Sequence, residues 1–229
     1  MNASEETASV APHSASSSRL SSPPPSQPVQ AWLVDLDGTL YHAAPLKKKM
    51  ALQVLFVGPH RARLLSAFRH LHEELRAQQK IDPCSTFLPS PFDEQLQRAA
   101  THSGKSVNEV RSIVAEWMIE RPCKIMRKHR RESLIAEIEA FRASGGKTAV
   151  VSDYPAQQKL DALELKHLFD VVVASGETDH LTRLKPAPDG YLLAARQLNV
   201  SPEHCLVIGD RDDADGAAAR AAEMQFRLI

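Results

Sequence analysis

Cysteine is scarce in this 229-residue chain: it occurs three times, at Cys84, Cys123 and Cys205. These are odd in number and far apart. That spacing excludes a disulfide framework or a zinc-ligand pattern and points to a reducing cytosol as the expected location. Net charge is absent, with Lys+Arg and Asp+Glu at 28 each. The balance gives no electrostatic reason to expect nucleic acid or an anionic membrane as a main partner. No apolar run approaches the ~20 residues of a membrane span. There is no G-x-G-x-x-G, so a dinucleotide is not indicated. Residues 1–28 hold no apolar h-region and a single arginine, so neither a secretory signal nor a transit peptide is expected. This stretch is rich in Ser, Pro and Ala and ends in SSPPPSQP. It cannot bury enough apolar surface to offset its ordering entropy, and a disordered tail is expected.

What remains is an ordinary globular composition, 43% apolar and 24% charged, long enough for one core and a small second domain. Its centre is AWLVDLDGTL, Ala31 to Leu40. Trp32, Leu33 and Val34 read as a buried strand of a parallel sheet. Asp35 and Asp37 follow two residues apart, a spacing that on extended chain points both carboxylates to one side. Gly38 allows a sharp turn, and the Thr39 hydroxyl is placed to tie it down. Two adjacent carboxylates repel, and a divalent cation would remove that repulsion. Three more sites of the same kind follow. TAVVSD is a strand ending at Ser152, RLKPAPDGY holds Lys185, and CLVIGDRDDAD carries Asp210 and Asp215 after another apolar strand.

Between the first two of these, about residues 41–126, the pattern is helical. Leu64, Leu65, Phe68, Leu71 and Leu75 recur at three- and four-residue spacing. Ser90-Pro91 opens a further helix, and Ser106 with Glu109 makes a capping-box pattern. Pro122 is expected to end that helix at or just before Arg121. Two basic clusters flank the insert, Lys47 to Lys49 and Arg127 to Arg131. They read as solvated helix ends and linkers, with an anionic substrate as the functional alternative.

Strand and helix then alternate. A helix over residues 131–142 is stopped by Gly145-Gly146, and a strand runs 147–151. A helix over 155–165, a strand over 171–173 and a helix through Tyr191 and Leu198 follow. The last elements are a strand over 205–208, an Ala-rich helix over 215–222 and a strand over 225–229. Cys205 is expected to pack in the core and Asp153 to cap a helix. Alternation at this spacing implies parallel strands with helices on both faces, and in such sheets ligands bind beyond the carboxyl ends of the strands. The expected fold is therefore α/β, a Rossmann-like parallel sheet over 29–42 and 127–229, with an inserted helical cap over 43–126.

The four motifs, in this order, resemble those of the haloacid dehalogenase-like (HAD) phosphatases, phosphoglycolate phosphatase-like in type, and the insert resembles their helical C1 cap. The resemblance implies that Asp35 is the nucleophile, forming an aspartyl-phosphate. It makes Asp37 the general acid and base, with a pKa raised for the task. Thr39, Ser152 and Lys185 form the phosphate-binding set: Thr39 fixes the turn, Ser152 donates to phosphate, and Lys185 neutralises phosphate charge and pairs with Asp35. Mg2+ is the implied cofactor, held by Asp35, the Asp37 carbonyl and Asp210. Asp215 either binds it through water or orients its neighbours, and Asp212 and Asp213 lie close enough to confuse that assignment. Asp37 favours phosphoryl transfer over dehalogenation, since halide leaves without a proton. One departure is Glu223, where relatives place glycine in a turn.

The implied activity is Mg-dependent hydrolysis of a small phosphorylated metabolite in the cytoplasm. Phosphoglycolate, a sugar phosphate and a nucleoside monophosphate all fit. A phosphomutase or phosphotransferase of the same fold is the enzymatic alternative. A catalytically idle binding protein is another, opposed by the intact Asp35, Asp37, Lys185 and Asp210.

Overall fold

The computed structural model describes residues 28–229. The Ser/Pro-rich tail lies outside the described residues, apart from Pro28. Five parallel strands form one sheet: β1 (Ala31–Asp35), β2 (Lys147–Ser152), β3 (Val171–Ala174), β4 (Cys205–Gly209) and β5 (Gln225–Leu228). Their order is β3-β2-β1-β4-β5, which puts β1 at the centre. Register then fixes where the motifs fall. Asp35 pairs with Val151 and Val34 with Ile208, so Ser152 and Asp210 lie just past Asp35 on its two sides. The first strand therefore runs one residue further than its apolar stretch suggests and carries Asp35 into the ladder.

Alternation along β1 divides two cores. Val34, with Trp32 beside it, packs against α6 (Glu132–Ala143) and α7 (Gln157–Leu163). Ala31 and Leu33 pack against α8 (Asp189–Leu198) and α9 (Ala217–Ala221). Helices thus cover both faces, as a parallel sheet requires. Cys205 is fully buried in the second of these cores.

The insert is built from α1 (Ala43–Val57), α2 (Pro59–Ile81), α3 (Pro91–Ser103), α4 (Val107–Val114) and α5 (Arg121–Met126). It has its own core, with Leu64 and Phe68 of α2 against Phe92 and Leu96 of α3 and Val110 and Val114 of α4. Ser90 accepts from the Asp93 amide, and Ser106 with Glu109 forms a complete capping box. A capping residue of this kind is worth about 1 kcal/mol. The two linkers run side by side: the His42 amide donates to the His129 carbonyl, and the Arg131 amide to the Leu40 carbonyl. Among the described residues no helix is long and apolar enough to cross a membrane.

Three local expectations are corrected. Pro122 does not end a helix. A π-helical turn, Ala115–Glu120, shifts the hydrogen-bond register just before it, and Pro122 falls in the first turn of α5. The widened turn, in which the Arg121 amide reaches back to the Glu116 carbonyl, lets the helix run on through the proline. Asp153 does not cap α7, because Glu177 accepts from the Ala156 and Gln157 amides. Asp215 lies in a π-helical turn, Asp212–Gly216, ahead of α9, rather than opening an Ala-rich α-helix. Glu223 adopts a left-handed conformation (φ +57°), the backbone state for which glycine carries no penalty.

Candidate active site

The strand ends converge on a cavity of about 430 Å³ between the carboxyl edge of the sheet and the helical insert. Asp35, Asp37, Ser152, Lys185, Asp210 and Asp215 all line it. Thr39 does not. It is fully buried beneath, where its hydroxyl donates to Asp35 Oδ2 at 2.9 Å. The turn under both residues is held by Arg131, which donates to the Gly38 and Thr39 carbonyls. One member of the second basic cluster is therefore structural support for the motif.

Lys185 crosses from the loop before α8. Its ammonium donates to Asp35 Oδ1 at 2.5 Å, Asp215 Oδ1 at 2.7 Å and the Val151 carbonyl at 3.4 Å. All three of its donors are thus engaged. Asp215 is held in turn by the Tyr191 hydroxyl at 2.8 Å and the Arg211 amide at 3.3 Å. Ser152 Oγ accepts from the Tyr154 amide at 3.2 Å and faces the cavity.

Carboxylate oxygens of Asp35, Asp210 and Asp215 all lie within 4.8 Å of one another. One lysine cannot compensate three acids. Burial, opposed by the Lys185 charge and assisted by that of Asp215, pushes the Asp35 carboxyl up to about 7. Burial and Asp215 also raise Asp210. The backbone makes room for this crowding at Gly38 (φ +105°), where a Cβ would stand 2.1 Å from Asp210 Oδ2. Hard oxygen donors with surplus negative charge are the donor set of a small divalent cation, and these residues fit one.

Asp37 lines the same cavity as Asp35, but extended chain does not place it there. The strand ends at Asp35, and Asp37 is already in the turn. Its Oδ1 accepts from the Tyr41 hydroxyl and its Oδ2 from the Lys159 ammonium, each at 2.5 Å. Burial would raise this carboxyl, but the Lys159 charge and the two hydrogen bonds outweigh it and hold it below the usual range. The raised pKa expected for Asp37 belongs instead to Asp35.

Sequence reasoning missed Lys159, Tyr41, Asp153 and Arg76. Asp153 accepts from Arg76 of α2 at 2.6 Å and from the Lys185 amide at 3.2 Å, tying the insert to the lysine loop. Lys159 sits on α7 among the buried Ala156, Leu160 and Leu163. A lysine inside an apolar stripe was the available signal.

A parallel sheet with a buried aspartate–lysine pair and an acidic cluster at its carboxyl edge has the layout of an α/β enzyme. The sequence pattern of the haloacid dehalogenase-like hydrolases matches residues 29–223, and the chain belongs to that family of enzymes. Among curated relatives, the fructose-1-phosphate phosphatase YqaB of Escherichia coli is 46% identical over 69 residues, 30% of this chain and 35% of that protein. The glyceraldehyde 3-phosphate phosphatase of Methanopyrus kandleri is 28% identical, over 86% of this chain and 82% of its own length. The phosphoglycolate phosphatase of Colwellia psychrerythraea is 26% identical over 86% and 83%. Similar folds occur in a crystal structure described as a dehalogenase (TM-score 0.58, 17% identity, 88% and 84% covered) and in a predicted phosphoglycolate phosphatase from Haemophilus somnus (TM-score 0.54, 19% identity, 86% and 84% covered).

Proposed function

We propose that this HAD-family enzyme is a magnesium-dependent phosphatase that hydrolyses a small phosphate monoester through an aspartyl-phosphate on Asp35. The observation that carries the reading is the setting of Asp35. It is buried at the end of the central strand, with one oxygen on the Lys185 ammonium and the other on Thr39. That arrangement orients a carboxylate for in-line attack.

Asp37 is ionised while Lys159 pairs with it, so it first takes a proton from water as the entering substrate frees one of its oxygens. In the first step an Asp35 oxygen then bonds to phosphorus as the ester bond breaks, and Asp37 passes that proton to the departing alkoxide. In the second, Asp37 takes a proton from water, the water oxygen bonds to phosphorus, and the Asp35–phosphate bond breaks. Ser152 donates to a phosphoryl oxygen, and Lys185 offsets the phosphoryl charge. Asp35, the Asp37 carbonyl and Asp210 are the residues that would hold magnesium. Asp215 completes the acidic cluster and orients Lys185 beside it. When bound, magnesium supplies the positive charge that shields the attacking carboxylate from an anionic ester. Residues 43–126 act as a cap that closes the cavity and excludes bulk water. The free thiols of Cys84, Cys123 and Cys205 suit a cytoplasmic enzyme.

The test is phosphate release from a panel of esters, with and without magnesium, by the parent and Asp35→Asn. Magnesium-dependent release, reduced at least about a thousandfold in the variant, is expected. Transfer of the phosphoryl group to a sugar hydroxyl in place of water would replace the phosphatase with the phosphotransferase. Release unchanged in Asp35→Asn would overturn the assignment.

A further inference from the structure

The two lysines of the cavity are in different states. Lys185 has an acceptor for each of its donors. Lys159 does not. Its side chain is 6% exposed and lies on the cavity wall rather than on the outer surface. Among the described residues its hydrogen-bond acceptor is Asp37 Oδ2, and its other neighbours include the Tyr154 ring, 5.7 Å away, and the Cys123 thiol, whose titration its charge influences. An ammonium carries three N–H donors, and leaving two of them unmatched in a buried place is costly. Lys159 lines the cavity, so what enters the cavity is what those donors can reach.

Position narrows the target. On the phosphatase reading, on which this inference rests, Asp37 serves the ester oxygen as the alcohol departs. Lys159 is one hydrogen bond away from Asp37, on the side of the alcohol rather than of the phosphoryl oxygens held near Lys185. An oxygen on the carbon next to the phosphate-bearing carbon is the nearest acceptor that such an alcohol could offer to that ammonium. Both Asp37 oxygens are also occupied in this structure, by Tyr41 and Lys159. One must be freed before Asp37 can face a leaving oxygen. The lysine has four side-chain torsions through which its ammonium can swing along the cavity wall, whereas the Tyr41 ring is packed in the sheet core.

We infer that Lys159 is a substrate-binding residue. It transfers hydrogen bonds from Asp37 to an oxygen vicinal to the phosphate ester, and so selects phosphates of 1,2-oxygenated alcohols over plain alkyl phosphates. The minimal pair is 2-hydroxyethyl phosphate and ethyl phosphate, which differ by one hydroxyl.

The experiment measures kcat/KM for both esters, with magnesium, in the parent, Lys159→Met and Lys159→Arg. The parent should favour the hydroxylated ester by at least about tenfold, the scale of one charge-assisted hydrogen bond. Lys159→Met should bring that ratio close to one, and Lys159→Arg should keep part of it. A parent ratio near one would overturn the inference. So would a ratio unchanged in Lys159→Met, or equal loss on both esters, which would leave Lys159 serving Asp37 alone. If Lys159→Met does not fold, Lys159→Gln reads the same ratio. Failure of the parent to release phosphate from either ester or from the wider panel would overturn the phosphatase reading beneath it.

Discussion

At the scale of single residues, the site is a contest between burial and charge. Asp35 loses it in the absence of a cation, and its carboxyl rises to about 7. The folded protein then holds a proton, between about pH 4 and 7, that the unfolded chain has released. Stability from this group is full below about pH 4 and is lost as pH rises through 7. In chelator, Asp35→Asn should therefore melt higher than the parent at pH 8, with the gap closing toward pH 4. Magnesium should raise the parent's Tm at pH 8 and leave Asp35→Asn nearly unmoved. A gap independent of pH would contradict this account of Asp35. The residues at strand ends were legible in sequence because each follows an apolar run that fixes its place. The apolar stripe around Lys159 marked it as buried, but its pairing with Asp37 was not legible, because the two are 122 positions apart.

At the scale of elements, α2 decides how the insert meets the core. Arg76 of α2 pairs with Asp153, and both side chains are about one-tenth exposed. Gln79 accepts from the Leu184 amide one residue before Lys185. Burial would raise the Asp153 carboxyl, but the charges of Lys185 and Arg76 outweigh it and hold it below the usual range. Its contribution to stability is therefore present above about pH 4 and lost as pH falls. Arg76→Met leaves a buried carboxylate without its closest cation, a change expected to cost about 3 kcal/mol at pH 7. Thermal melts should show a large deficit at pH 7 that narrows toward pH 3. A deficit of equal size at both would mean that Arg76 acts by packing alone. The helical insert itself was legible from the stripe of Leu64, Phe68, Leu71 and Leu75 and from the caps at Ser90 and Ser106. The run through Pro122 was not, since a π-helical turn leaves no signature in side-chain periodicity.

At the scale of the molecule, the strand order carries function. Placing β1 at the centre puts Asp35 between Ser152 of β2 and Asp210 after β4, and the long connection from β1 to β2 carries the insert over the same edge. Four motifs distant in sequence become one cavity because parallel strands end together. That convergence could be read from alternation of strands and helices. The Lys185–Asp35 pair was among the expectations, but the Lys159–Asp37 pair beside it could not be read, because it depends on register and burial. The claim that unites these scales is that Asp35 carries the phosphoryl group. The direct test is to mix Asp37→Asn, which lacks the base that would clear the intermediate, with an aryl phosphate and magnesium. The mixture is quenched in acid and its peptides are weighed by mass spectrometry. The account predicts a phosphoryl group on Asp35, absent when Asp35→Asn is added. Phosphate release by the parent from that ester, with no phosphoryl group on Asp35 in the variant, would contradict it.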